Sequence, residues 1–158
     1  MDASAPLRPG MYKIPVSVLV VIHTPAMQVL LLERADHPGY WQSVTGSRNP
    51  GETLRQTAIR EVAEETGLDA TRHRLVRCNL QYEYDIYEEW RWRYAPGVTR
   101  NTEHVFALRV PAPLPVSVAA REHLGHAWLP WREAAAKVFS PSNAEAIERL
   151  ASGRADVE

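Results

Sequence analysis

The segment 16–22, VSVLVVI, is the feature of this 158-residue chain that most restricts its fold. Its apolar and β-branched residues follow one another instead of alternating with polar ones, which is the pattern of a strand buried on both faces of a sheet. Ser17 interrupts the run and His23 ends it. The run is therefore far short of the roughly 20 apolar residues of a membrane-spanning helix, and it predicts a central strand.

Size and composition limit the class of protein. Hydrophobic residues make up 45% of the chain and charged residues 23%, as in one ordinary globular domain. With 18 basic and 19 acidic side chains, the net charge of −1 provides no general attraction to nucleic acid or to anionic membranes. Cys78 is the only cysteine and no secretion signal follows Met1, which favours a cytoplasmic location. We predict one domain over residues 12–152, with flexible tails at 1–11 and 153–158.

The next segments predict a hairpin and a long loop. A Thr24-Pro25-Ala26 turn separates the first strand from a second predicted strand, Met27–Leu32. Between His37 and Gly51 the apolar periodicity is lost and glycine and proline become frequent. These residue types are typical of turns, so we predict a loop there.

A helix is predicted over Leu54–Thr66. Thr53 followed by Gln56 is a capping box, and Gly67 stands where a left-handed residue would end the helix. Its carboxylates Glu61, Glu64 and Glu65 fall on one side at helical spacing. The other side carries apolar residues and is expected to face the core: Ile59, Val62 and Ala63.

Beyond the helix, alternation returns. Six of the seven even positions from Tyr82 to Tyr94 are apolar or aromatic and odd positions are mostly charged, which predicts strands and favours strand packing for the motif Trp90-Arg91-Trp92-Arg93. Further strands are predicted at 105–110 and 127–129, and Ser142 with Glu145 is expected to cap a closing helix.

The acidic side of the helix suggests a metal site. Like charges three and four residues apart destabilise a helix by roughly 0.2–0.5 kcal/mol per pair, so a positive group should lie beside them. Arg60 can pair with Glu64 but cannot neutralise three carboxylates. Carboxylate oxygens are ligands that Mg²⁺ and Mn²⁺ prefer. The alternative at this point is an ordinary solvated charged face.

The spacing around the cluster favours the metal site. Gly46 is followed after five residues by Glu52, after seven more by Arg-Glu-Val at 60–62, and then by Glu-Glu at 64–65 and Gly-Leu at 67–68. This segment resembles the Nudix box of the Nudix hydrolases. The resemblance implies an α/β/α sandwich with a central mixed β-sheet and a metal-dependent hydrolysis of phosphoanhydride bonds.

The resemblance also implies roles by position. Glu61 and Glu65 would bind the metal, Mg²⁺ with Mn²⁺ as the alternative. The other box residues would act around them: Glu64 as a further ligand or general base, Arg60 and Glu52 as a pair that orients the carboxylates, and Gly46 and Gly67 as points of backbone freedom.

The flanking segments 12–17, 40–47 and 93–103 resemble Nudix members that release pyrophosphate from a pterin triphosphate of folate biosynthesis. That likeness implies a third metal-binding glutamate, Glu122. It also implies contacts with the substrate: Lys13, Arg34, Thr45 and Ser140 near the phosphates, and Tyr84, Asp85, Ile86 and Tyr87 near the pterin. Two simpler interpretations stay open, namely that the two cations end strands at the surface and that Tyr84 is ordinary core.

Other functions remain as alternatives. A Nudix enzyme acting on ordinary nucleoside triphosphates is the closest one, because guanine shares the hydrogen-bonding edge of a pterin. A catalytically silent metabolite sensor is disfavoured because all box glutamates are present. The basic run at 72–77 is interpreted as a solvated turn, and His123 with His126 lack further zinc ligands. The expected partner is a small-molecule triphosphate, without nucleic acid or membrane.

Overall fold

The computed structural model describes residues 12–119 and 122–154. The predicted tail 1–11 and residues 155–158 lie outside this range. Within these two ranges there are seven strands: β1 Val16–His23, β2 Gln28–Arg34, β3 Trp41–Gln42, β4 Val44–Ser47, β5 Arg74–Asp85, β6 Arg100–Arg109 and β7 His123–Pro130. The same described residues include three α-helices: α1 Leu54–Thr66, α2 Trp131–Lys137 and α3 Pro141–Ala151.

Strand β1 is the centre of a mixed sheet. It runs parallel to β6 from Val16 opposite Thr102 to His23 opposite Arg109, and antiparallel to β4 on its other side. Strand β5 pairs with the outer side of β6, while β2 pairs with β7 and β3. The mixed sheet confirms the fold class, and the position of β1 confirms the predicted central strand.

The two faces of β1 explain its continuous hydrophobic sequence. Val18 and Val20 pack into the core on the side of α1, beside Val62. Leu19 and Val21 pack into a second core, which contains Ile147 of α3. Burial of each such side chain stabilises the fold by about 1.5–3 kcal/mol. Helices therefore cover both faces, as an α/β/α sandwich requires.

Helix α1 begins and ends at the predicted residues. Thr53 Oγ1 accepts from the Gln56 amide at 3.0 Å, and Gln56 Oε1 accepts from the Thr53 amide at 2.9 Å. Gly67 has a φ of 76°, a left-handed conformation that glycine adopts without steric cost. The capping box and the terminating glycine are thus confirmed.

The orientation of α1 differs from the prediction. Ala63 is exposed, whereas Glu61 and Glu65 are fully buried and share the inner side of the helix with Ala58 and Val62. The reason is tertiary, because β4 lies against α1 at Glu61. The prediction used polarity alone and therefore placed the carboxylate side of α1 toward solvent.

The predicted loop between His37 and Gly51 contains two short strands. Strand β4 pairs with β1 from Ser17 opposite Ser47 to Val20 opposite Val44. A segment of four residues has too little periodicity to identify a strand. Its hydrogen bonds come from a partner far away in the sequence, so this part of the prediction was wrong.

The alternation from Tyr82 to Tyr94 was also misleading. Strand β5 ends at Asp85, and Glu88–Arg93 forms a 3₁₀ helix. Strand packing of the Trp90–Arg93 motif was therefore wrong. The Trp90 amide donates to the Tyr87 carbonyl at 2.8 Å, and the two rings stack with centroids 5.0 Å apart. Local turns and stacking thus replaced strand pairing.

The basic run and the chain end required smaller corrections. Arg74 and Arg77 lie in β5, so only the first part of the predicted solvated turn is a turn. Helix α3 is capped by Ser140, whose Oγ accepts from the Asn143 amide at 3.4 Å, because Pro141 already occupies the first turn. The predicted cap Ser142 is inside the helix.

No helix in the described ranges combines the length and apolar character needed to cross a membrane.

Candidate active site

The box helix presents a carboxylate to strand β4. Glu61 is fully buried, and its carboxylate lies where a Cβ at Gly46 would be. Any side chain at position 46 would displace that carboxylate. Glycine is therefore required here for close approach and not for a positive φ, which corrects the predicted role of backbone freedom at this residue.

A second buried carboxylate lies one turn along the helix. Glu65 is fully buried, and no hydrogen-bond donor among the described residues reaches either of its oxygens. Burial and the charges of Glu61 and Glu122 raise the pKa of Glu65 well above its usual value. Glu122, the predicted third metal ligand, therefore lies close enough to Glu65 to act on it electrostatically.

His123 adjoins this cluster without neutralising it. Its Nε2 lies 3.5 Å from Glu65 Oε1. Burial, together with the charge of Arg34, lowers the pKa of His123 to about 4, so the ring is neutral at pH 7. The negative charge around Glu65 is therefore not balanced by this histidine.

Arg60 connects the box to the preceding loop. Its Nε donates to Glu52 Oε2 at 2.7 Å, its Nη1 to Glu61 Oε1 at 2.5 Å, and its Nη2 to the Ser47 carbonyl at 2.9 Å. Burial opposes the charged form of Arg60, but the contacts with Glu52 and Glu61 outweigh it and raise its pKa. Arg60 and Glu52 thus form the pair that the box predicted.

Glu64 lies at the edge of this network. Its side chain is 29% exposed, and Arg60 Nη1 is 3.4 Å from its Oε2. It is the box carboxylate with the most contact with water. This position suits a group that exchanges a proton with solvent or with an attacking water.

The carboxylate oxygens of this region are suitable ligands for a divalent cation. A buried carboxylate without donors, such as Glu65, is costly unless a proton or a cation balances it. In the described part of the chain, no three His, Cys, Asp or Glu side chains are grouped so that they could hold a metal ion by themselves. Substrate phosphate and water would therefore have to complete the coordination beside Glu61 and Glu65, as is usual for Mg²⁺.

A cleft of about 430 Å³ opens beside the box. Its floor is the face of the sheet that carries Ser17, Thr45 and Glu103, and Gly46 belongs to its lining. The cleft thus meets the box helix at the glycine that contacts Glu61. All residues predicted to touch substrate line it: Lys13, Arg34, Thr45, Tyr84, Asp85, Ile86, Tyr87 and Ser140.

The two predicted phosphate partners differ in environment. Arg34 is 4% exposed, and its guanidinium donates to Asp36 and to Gln42 Oε1 while its Cζ lies 4.5 Å from the Trp90 ring centroid. This arrangement excludes the alternative of an exposed strand-end charge for Arg34. Lys13 is half-buried, with its Nζ 5.8 Å from the Tyr94 ring centroid.

The residues predicted to surround the heterocycle form one end of the cleft. Ile86 is buried, whereas Tyr87 is 42% exposed and stacks on Trp90. Asp85 is exposed and pairs with Arg100 at 3.2 Å. Tyr84 Oη accepts from Asn101 Nδ2 at 3.0 Å, so this tyrosine is part of a polar network and not ordinary core.

Sequence reasoning missed several residues of this cleft. Glu103 is 5% exposed and Asn101 is 2% exposed, and both lie on β6 within the cleft. Trp90 and Phe139 supply aromatic walls. Asn101 and Glu103 alternate in register with the apolar Val105 and Ala107 of β6, so two polar residues at the start of that face were an available signal.

Comparison with known proteins identifies the class. The NUDIX domain family matches residues 13–150. Together with the mixed sheet and the intact box helix, this match shows that the chain belongs to the Nudix family.

Individual Nudix enzymes are similar to this chain over most of its length. The chain is 45% identical over 147 residues to the dihydroneopterin triphosphate diphosphatase of Escherichia coli, covering 91% of this chain and 97% of that protein. The enzyme of the same name from Haemophilus influenzae is 42% identical over 142 residues, covering 87% and 88%. The solved structure of the E. coli dihydroneopterin triphosphate pyrophosphohydrolase has a TM-score of 0.81 and 48% identity, covering 87% of this chain and 95% of that one.

Proposed function

We propose that this Nudix hydrolase cleaves 7,8-dihydroneopterin 3′-triphosphate into dihydroneopterin monophosphate and pyrophosphate, as a cytoplasmic step of folate biosynthesis. One observation carries the proposal: a single cleft contains every residue that the flanking segments predicted for substrate and meets the box at Gly46. The names of the relatives at 42–45% identity support it.

The box carboxylates would hold the metal, which we propose to be Mg²⁺, with Mn²⁺ as a substitute. Glu61 and Glu65 are the buried ligands, and Glu122 is the proposed third. A bound divalent cation would neutralise phosphate charge and make a coordinated water more acidic. Arg60 keeps Glu61 in place through its hydrogen bond, while Glu52 keeps Arg60 in place.

Glu64 is the proposed general base. Its partial exposure leaves it within reach of water, and Arg60 Nη1 lies 3.4 Å from its Oε2. The attacking water would lose a proton to Glu64 as it adds to one of the two phosphorus atoms joined by the α–β anhydride. The bond to the bridging oxygen then breaks, which releases pyrophosphate as one piece.

The cleft would separate the two ends of the substrate. Lys13 and Arg34 supply positive charge, and Thr45 and Ser140 supply hydroxyl groups, for the phosphates. Tyr87 offers an aromatic surface for a flat heterocycle at the other end. The proposed partner is therefore a small triphosphate, and the net charge of −1 offers no support for nucleic acid or membranes.

A substrate panel tests the proposal. We would measure kcat/KM with Mg²⁺ for dihydroneopterin triphosphate, GTP, 8-oxo-dGTP and dATP, and quantify pyrophosphate and orthophosphate separately. The expected result is a preference of at least about tenfold for dihydroneopterin triphosphate, which corresponds to one or two added contacts, with pyrophosphate as the product. Equal efficiency on all purine triphosphates would support the alternative of a nucleotide-hydrolysing Nudix enzyme, and stepwise release of orthophosphate would contradict the proposed bond cleavage.

A further inference from the structure

A buried carboxylate lies in the cleft apart from the box. Glu103 is 5% exposed, and Ser142 Oγ donates to its Oε1 at 3.1 Å. Its hydrogen-bond partners, Ser142 and Tyr84, are hydroxyl groups that do not fill the roughly four acceptor sites of a carboxylate. Burial raises the pKa of Glu103 to about 7, against smaller opposing contributions from Ser142 and Tyr84. A pair of N–H donors would restore its charged form.

Asp85, another acidic residue at this end of the cleft, is less suited to accepting hydrogen bonds from a ligand. Asp85 is exposed and already pairs with Arg100. A contact to an exposed charge contributes little, since water competes for the same oxygens. Glu103 therefore has the stronger environment for recognising a neutral donor group, although sequence reasoning pointed to Asp85.

The sheet register gives the distance between Glu103 and the box. Glu103 lies opposite Ser17 on β1, and Ser17 lies opposite Ser47 on β4. Two strand spacings therefore separate the Glu103 position from strand β4, which is about 10 Å. Gly46, the contact of Glu61, immediately precedes Ser47. A ligand whose phosphates reach the box can thus place a heterocycle against Glu103 only if a spacer joins the two parts.

Asn101 adds a second buried hydrogen-bond acceptor on the same face of β6 as Glu103. Asn101 Nδ2 donates to Ser17 Oγ at 2.7 Å and to Tyr84 Oη at 3.0 Å, which leaves Asn101 Oδ1 buried without a hydrogen-bond partner in the described residues. Acceptor oxygens of Glu103 and Asn101 therefore lie two positions apart on the same face of β6. Such a patch favours ligands with several adjacent donors.

We propose that Glu103 is the specificity-determining residue of the cleft, accepting the adjacent ring N–H and exocyclic amino group of a 2-amino-4-oxo heterocycle. This chemistry is shared by pterins and by guanine, and adenine lacks it. The inference rests on the proposed function only for the choice of the pterin. Glu103 would recognise the donor edge of a pterin and that of guanine in the same way.

The test compares Glu103→Gln with Glu133→Gln, an exposed glutamate on α2 that does not line the cleft. For each protein we would measure kcat and KM with Mg²⁺ for dihydroneopterin triphosphate, GTP and dATP, and confirm folding by thermal melting. In the E103Q protein an amide group would oppose one of the ligand donors. We expect KM for the 2-amino-4-oxo substrates to rise about 10- to 100-fold, the usual range for loss of a charged hydrogen bond, with kcat nearly unchanged.

The preference against dATP is the second measurement, since a glutamine can pair with the adenine edge. The ratio of kcat/KM for the preferred 2-amino-4-oxo substrate to that for dATP should fall at least tenfold in E103Q and stay at the wild-type value in E133Q. An unchanged ratio in a folded E103Q protein would overturn the role of Glu103.

The wild-type protein separates this inference from the proposed function. Better hydrolysis of GTP than of dihydroneopterin triphosphate would contradict the proposed function, and the loss of GTP preference in E103Q would still support the role of Glu103. A wild-type preference for dATP over both 2-amino-4-oxo substrates would contradict the two proposals together.

Discussion

The box end and the heterocycle end of the cleft are built in different ways. The box end comes mainly from one continuous segment, 46–67, in which Arg60 joins Glu52, Glu61 and the Ser47 carbonyl. The heterocycle end takes residues from β1, β5, β6, α3 and the turn at 88–93. A local, fully connected network can be recognised as a motif. A surface assembled from segments that are mostly far apart in the sequence is not marked by one continuous motif.

The two ends should also respond differently to substitution. Changes at the box should reduce kcat for every substrate, because they affect charge at the reacting phosphates. Changes at the heterocycle end should alter KM and selectivity, because they affect binding of the part that does not react. The following predictions test this difference.

The largest effect is expected for Glu61→Gln and Glu65→Gln. Each removes a proposed metal ligand, and we expect kcat to fall about 10²-fold or more on every substrate. Removal of metal from the wild-type enzyme with a chelator should abolish activity, and added Mg²⁺ should restore it. Turnover at the wild-type rate in either variant would show that the box carboxylates are not the metal site.

Gly46→Ala should damage the site with little damage to the fold. The new Cβ would fall on the Glu61 carboxylate, the movable end of a side chain, so the carboxylate shifts while the backbone stays. We expect kcat to fall about 10- to 100-fold, as for other small misplacements, with Tm nearly unchanged. Gly125→Ala is the matched control, since a Cβ there meets no atom within 4 Å. Equal kcat in G46A and wild type would contradict the role of this contact.

Glu122→Gln should change the metal requirement. This residue is 9% exposed and acts electrostatically on Glu65. We expect the Mg²⁺ concentration for half-maximal activity to rise by roughly tenfold, as for other losses in a metal site, with unchanged thermal stability. Metal activation curves give the result directly, and a curve that superimposes on wild type would remove Glu122 from the site.

The smallest effect concerns stability at the heterocycle end. Because the folded pKa of Glu103 is raised from 4.5 to about 7, its contribution to the free energy of unfolding is fully present below pH 4.5 and is lost as pH rises to about 7. The change amounts to about 1–3 kcal/mol. Nearby Tyr82 and Tyr84 have raised pKa values and stay neutral in this range, and Ser142 is uncharged.

Glu103→Gln should remove this part of the pH dependence. The Tm of the variant relative to wild type should therefore be higher at pH 8 than at pH 4.5, and E133Q should show no such trend. A constant difference in Tm across this range would mean that Glu103 is ionised in the folded protein throughout.

Local patterns predicted the elements with strong local signals. Helix α1 was correct at both ends, because Thr53, Gln56 and Gly67 act within one or two turns of chain. The strand at 16–23 was recognisable because burial on both faces requires an uninterrupted apolar run. Strand β4 and the 3₁₀ helix at 88–93 were missed, since their hydrogen bonds and stacking depend on partners that periodicity does not reveal.

The amino-acid sequence was enough to predict the central strand, the capped box helix and the carboxylates that this helix carries. Packing between distant elements was needed to show that Glu61 and Glu65 face inward, that Gly46 makes room for one of them, and that Glu103 shares a cleft with Tyr84. The physical reason is the range of the interactions. Helix capping and strand burial act between neighbouring residues, whereas the burial and pKa of a carboxylate depend on every element packed around it.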